Sequence, residues 1–80
     1  MGKPVNAPMA GKILEIFVKV GDFVKKNDVI AMMETMRTNV RMFAPEDGIV
    51  KTVNVSPMEN VKVNTTLITL GKLVARKSEQ

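Results

Sequence analysis

The feature of this sequence that most constrains its fold is an ungapped internal repeat with an offset of 37 residues. Residues 7–11, Ala-Pro-Met-Ala-Gly, return as residues 44–48, Ala-Pro-Glu-Asp-Gly. With only 80 residues in the chain, neither copy is long enough to bury a core alone. We therefore expect two copies of one unit, packed around a pseudo-two-fold axis. The same offset pairs Ile13 with Val50, Ile16 with Val53, Val18 with Val55, Asp22 with Glu59, Val24 with Val61, Lys25 with Lys62, Asn27 with Asn64, and Ile30 with Leu67.

Each copy has the pattern of β-strands. Short apolar runs rich in Val, Ile, Thr and Phe are separated by Gly, Pro, Asn and Asp, and no segment sustains a period of 3.6. Ile13 and Ile16 have opposite parity along a strand, so we expect a bulge there and at the matching Val50 and Val53. The sequence predicts an all-β fold with almost no helix.

A further strand is predicted between the two copies. Val40, Met42 and Ala44 alternate with polar or exposed positions, as in a half-buried strand. Val5 lies 37 residues before Met42, so we expect it to be the equivalent residue on the first strand. Met32, Met33 and Met42 are predicted to fill the core.

Asn27 and Asn64 occupy matching turn positions. Asn tolerates a left-handed backbone better than most residues, so these two predict backbone geometry and not chemistry.

Composition excludes several classes of protein. The chain has no Cys and no His, which leaves no disulfide and no zinc site of the usual kind. The net charge of +4 is spread over interspersed charges. Nucleic-acid binding is not expected, because the chain has no Trp or Tyr and its three Phe residues are not interleaved with a basic cluster. No signal peptide or run of roughly 20 apolar residues is present, which predicts a cytoplasmic protein without membrane insertion. We expect a domain over residues 1–74 and a disordered tail over residues 75–80.

Four segments carry a resemblance to a known family. Residues 7–13, 20–26, 34–37 and 44–50 resemble, in order and separation, the corresponding segments of biotinyl and lipoyl attachment domains. The resemblance covers about residues 4–71. It implies a flattened β-barrel, or barrel-sandwich hybrid, of two four-stranded antiparallel sheets with pseudo-two-fold symmetry. Residues 17–24 leave no room for an inserted loop, so the chain resembles the thumbless biotin carboxyl carrier domains most.

The resemblance also implies a site. In biotinyl domains a hairpin Lys between two Met residues carries biotin, and here that position is Arg37. Met36 favours biotin over lipoate, whereas Thr38 departs from both patterns. Glu34 and Thr35 complete the flanking residues that the resemblance assigns to recognition. The repeat offset carries position 37 onto the chain ends, so we expect the hairpin and the termini at opposite ends of the barrel.

The function implied by the resemblance is that of a swinging-arm carrier in a biotin-dependent carboxylase, decarboxylase or transcarboxylase. Its expected partners are biotin protein ligase and subunits of the biotin carboxylase and carboxyltransferase types. The carrier is not an enzyme by itself, and the sequence offers no catalytic residue and no metal ligands. Because a guanidinium is a very poor nucleophile, Arg37 predicts that biotin cannot be attached here.

Three explanations of Arg37 are open from the sequence. It is an engineered replacement of the attachment Lys, or the mark of a natural domain that serves as a protein-interaction or assembly module, or a surface charge without functional meaning. The lipoyl-like domains of efflux-pump adaptors also have this fold without a modified Lys. They carry a long helical hairpin, however, for which the segment between Glu34 and Val40 has no room.

Overall fold

The computed structural model describes residues 2–71, which form eight short β-strands and no helix. In chain order the strands are β1 (Gly2–Asn6), β2 (Gly11–Ile16), β3 (Phe23–Val24), β4 (Val29–Glu34), β5 (Asn39–Phe43), β6 (Gly48–Val53), β7 (Asn60–Val61) and β8 (Thr66–Gly71).

The strands form two four-stranded sheets, in the orders β1-β8-β6-β3 and β5-β4-β2-β7. Every neighbouring pair is antiparallel. The bounds of β1 to β4 become those of β5 to β8 when 37 is added, and each sheet takes two strands from each copy. The predicted flattened barrel of two antiparallel sheets with pseudo-two-fold symmetry is confirmed.

The predicted bulges are present in both copies. The register of β2 against β4 shifts between Ile13 and Glu15, and that of β6 against β8 shifts between Val50 and Thr52. The extra residue changes which face of the strand points to the core. Ile13 before the bulge is fully buried, and Ile16 after it still packs against the core. One bulge thus lets residues of both parities face inward.

The turns repeat with the same offset. Asn27 and Asn64 have φ values of 76° and 69°, which confirms their predicted left-handed geometry. Gly21 has φ 98° and Met58, its equivalent, has φ 73°. The second copy therefore holds a methionine in a conformation that side chains with a Cβ rarely adopt.

Hydrogen bonds tie each copy to the bulge of the other. The Gly21 N–H donates to the Val50 carbonyl at 2.9 Å, and the Met58 N–H donates to the Ile13 carbonyl at 2.6 Å. The Val50 N–H returns to the Asp22 carbonyl at 2.8 Å, and the Ile13 N–H binds the Glu59 carbonyl at the same distance. The two copies are therefore interlocked and do not merely pack together.

The core is apolar and follows the repeat. Among the described residues no polar or charged residue is buried. Val5 and Met42 are both buried, as expected for equivalent residues on β1 and β5. Met33 is fully buried, but the prediction that Met32 fills the core is wrong. Met32 is only half-buried, because it alternates with Met33 along β4 and so faces outward.

The predicted domain limit at residue 74 and the predicted disordered tail over residues 75–80 lie outside the described residues. Within residues 2–71 no helix is long and apolar enough to cross a membrane.

The paired turns lead to a test of the left-handed geometry. Gly21→Ala should lower the free energy of unfolding by about 1–2 kcal/mol, because the backbone at φ 98° disfavours a Cβ even where nothing lies within 4 Å of it. Met58→Gly should raise it by up to about 1 kcal/mol, because relief of the strained turn outweighs the added freedom of the unfolded chain. Urea unfolding measures both. Equal and negligible effects would contradict the turn geometry.

Candidate functional site

The candidate site is the turn of the β4–β5 hairpin. Glu34 at the end of β4 pairs with Asn39 at the start of β5, which leaves residues 35–38 as the turn. All five residues that the sequence assigns to the site therefore lie together, on the last pair of β4 and the turn that follows it.

Thr35 organises this turn. Its N–H donates to the Thr38 carbonyl at 2.9 Å, and its hydroxyl donates to the same carbonyl at 2.8 Å. The hydroxyl oxygen accepts from the Thr38 N–H at 3.2 Å and from the Arg37 N–H at 3.3 Å. One half-buried side chain thus bonds three backbone groups of the turn, the N–H groups of residues 37 and 38 and the Thr38 carbonyl.

The turn presents Met36 and Arg37 to solvent. Met36 has 102% of its reference surface exposed, and Arg37 is exposed as well. Within residues 2–71 the ion pairs are Lys3 with Glu46 at 3.9 Å and Lys19 with Asp22 at 3.8 Å. The Arg37 guanidinium and the Glu34 carboxylate thus form no ion pair in the described part of the chain, and the side chain of Arg37 is exposed.

The base of the hairpin rests on Gly11. A Cβ at this position would overlap the Glu34 carbonyl oxygen and would come within 2.8 Å of Met33 Cε. The absence of a side chain lets β2 approach the end of β4 closely. The repeat includes position 11 in both copies, but the offset alone could not reveal this contact.

A shallow apolar cleft lies beside the tip. It is lined by Met9 and Ala10 from the first loop, by the turn residues 35–38, and by Val40. Met9 is 44% exposed and faces the same cleft as Met36. Sequence analysis missed Met9, although its equivalent in the second copy is Glu46, a difference that marks it as a departure from the repeat.

The hairpin lies at the opposite end of the barrel from Gly2 and Gly71, the first and last described residues, in the direction that the offset predicted. Gly2 pairs with Gly71 at one end of the first sheet, whereas Glu34 and Asn39 end the second sheet. Residues 44–47 join the far end of β5 to Gly48, which lies against the Gly71 carbonyl. The tip is therefore clear of the residues that connect to the rest of the chain.

The described residues contain no group of three or more His, Cys, Asp or Glu side chains that could hold a metal ion. What the site offers is a fixed turn, an exposed thioether and a free guanidinium. This arrangement suits contact with another protein.

Comparison with known proteins places these features in a family. A family model described as biotin-requiring enzyme matches residues 3–70. The chain is 32% identical over 68 residues to a pyruvate carboxylase of Staphylococcus aureus, covering 85% of this chain and 6% of that protein. It is 36% identical over 65 residues to a biotin carboxyl carrier protein of Streptococcus mutans, covering 81% of this chain and 50% of that protein. The chain thus spans half or less of these relatives.

A solved structure shares the fold. It is a single-chain, multi-domain long-chain acyl-CoA carboxylase, with a TM-score of 0.83 over 99% of this chain and 8% of that one, at 18% identity. At this identity the likeness concerns the fold alone.

Substitution of two methionines, one in β4 and one in the turn, tests whether the hairpin tip contributes to the stability of the core. Met33→Ala should lower the free energy of unfolding by about 2–5 kcal/mol, because Met33 is fully buried. Met36→Ala should change it by less than about 0.5 kcal/mol, because its side chain contacts little but water. Thermal or urea unfolding measures both variants. A large loss of stability in Met36→Ala would show that the tip is part of the core.

Proposed function

This chain belongs to the biotinyl/lipoyl domain family, and we propose that it is the scaffold of a swinging-arm biotin carrier with Arg37 at the attachment position. It is a domain of the biotin carboxyl carrier type, a carrier and not an enzyme by itself. In carriers of this kind, bound biotin supplies a group that accepts and releases carboxylate. The larger reaction would be that of a biotin-dependent carboxylase, decarboxylase or transcarboxylase.

The observation that carries the proposal is the placement of Met36 and Arg37. They lie at the tip of a hairpin that is fixed by Thr35, seated on Gly11 and held away from the chain ends. A carrier needs its attachment point to enter the active sites of other proteins, and this tip is the part of the described chain that best meets the requirement. The exposed Met36 also matches the biotinyl pattern better than the lipoyl pattern.

Arg37 does not fit the covalent attachment of biotin. Attachment requires an amine that can give up a proton and attack an activated carboxyl carbon. A guanidinium stays protonated and shares its electrons over three nitrogens, so it is a very poor nucleophile. We therefore assign no step of carboxyl transfer to this chain as it stands.

The proposed partners follow from the site. Biotin protein ligase would recognise the hairpin through Glu34, Thr35, Met36 and Thr38, and biotin carboxylase and carboxyltransferase-type proteins would receive it afterwards. The similarity to a pyruvate carboxylase supports partners of this class. The absence of Cys agrees with action in the cytoplasm.

A second candidate function is that of an unmodified protein-interaction or assembly module. The free guanidinium beside a fully exposed Met36 favours it, because such a pair suits a protein contact without any prosthetic group. Under this alternative the tip would bind partners but would not be a substrate of the ligase, even with a lysine at position 37.

Arg37→Lys separates these two functions. Incubation of this variant with biotin protein ligase, ATP and biotin should form one amide at residue 37, with release of AMP and of a proton from the amine. Intact mass should rise by one biotinyl group, while the parent chain and Arg37→Ala stay unchanged. An unmodified Arg37→Lys variant would favour the interaction module and overturn the carrier proposal.

A further inference from the structure

We propose that this chain is a decoy acceptor for biotin protein ligase. The hairpin would dock on ligase that already holds the activated acyl-adenylate, with the Arg37 guanidinium bound to the adenylate phosphate. The docked chain would then occupy the acceptor site without receiving the acyl group. This inference rests on the proposed function, since it assigns a regulatory role to the same hairpin.

The shape of the hairpin needs no rearrangement for such docking. The Thr35 hydroxyl bonds the backbone on both sides of the tip, and the close contact with Gly11 holds the base of β4. A turn that is already ordered loses little conformational freedom when it binds. Replacement of the attachment residue by arginine leaves this frame in place, because the side chain of residue 37 takes no part in these bonds.

The charge at the tip suits an acyl-adenylate. Lys12 and Glu34 occupy paired positions on β2 and β4, whereas Arg37 lies in the turn beyond the strand ends and places a positive charge there. The phosphate of an acyl-adenylate is bonded to the carbon that an acceptor attacks, so a side chain that reaches this carbon also reaches the anion. A guanidinium binds phosphate oxygens through two parallel N–H donors, which an ammonium cannot do.

The apolar side of the tip adds contact area. Met36 is fully exposed, and Met9 across the cleft is 44% exposed. Both side chains expose apolar surface in this chain. A partner that covers the tip would bury that surface, which favours binding. Because arginine does not attack the acyl carbon, no acyl transfer ends the contact, and the docked chain leaves the acceptor site only by dissociation.

A competition assay tests the proposal with the full chain. Biotin protein ligase, ATP and biotin modify a biotin carboxyl carrier protein that has its attachment lysine, and the parent chain is added as the inhibitor. The parent should inhibit competitively with the acceptor. Arg37→Ala should inhibit at least about tenfold less well, because it loses charge-assisted hydrogen bonds to the phosphate.

Arg41→Ala is the matched control. Arg41 is also exposed and lies only four residues away, but it belongs to β5 and not to the tip. This variant should inhibit as well as the parent does. An equal loss of inhibition in both variants would show a general charge effect and overturn the proposal.

The Arg37→Lys variant separates failure of this inference from failure of the carrier function. If the ligase modifies Arg37→Lys and the parent does not inhibit, the carrier scaffold stands and the decoy role is wrong. If Arg37→Lys is not modified, both are wrong. Unfolding midpoints of all variants should agree with that of the parent, since the substituted side chains are exposed.

Discussion

The structure depends on two sets of backbone hydrogen bonds that join the two copies of the repeat. Each copy places a turn against the bulge of the other, through Gly21 with Val50 and Met58 with Ile13. The bulge frees the backbone groups that the turn then satisfies, so neither feature is stable without its counterpart. In a chain this short, without disulfide or metal, the interlock keeps the sheets together around an apolar core.

The hairpin tip lies outside these hydrogen bonds between the copies, so a substitution at residue 37 need not change the fold. Residues 35–38 form a closed turn between β4 and β5, whereas in the second copy β8 is the last described strand. The turn is held by the hydrogen bonds of Thr35 and by the close approach of Gly11 to Glu34. None of residues 35–38 belongs to the buried core. A substitution at residue 37 can therefore change the chemistry of the tip, as we propose for Arg37, and leave the backbone of the hairpin in place.

Much of the fold could be predicted because the repeat converts one copy into a template for the other. The parity of Ile13 and Ile16 predicted both bulges, and Asn27 predicted a left-handed turn. The outward position of Met32 could not be predicted, because five consecutive apolar residues hide the alternation of β4. The close approach at Gly11 depends on how β2 lies against β4, which local sequence does not encode.

The central claim is that the tip is separate from the frame that holds the barrel together. Amide hydrogen exchange of the parent and of Arg37→Lys tests it most directly. The amides of Ile13 and Val50 should exchange only through global unfolding in both proteins. Those of residue 37 and Thr38, which are bonded only to the Thr35 hydroxyl, should exchange sooner, through local opening of the turn. A loss of protection at Ile13 or Val50 in Arg37→Lys would contradict the account, because it would couple the tip to the core.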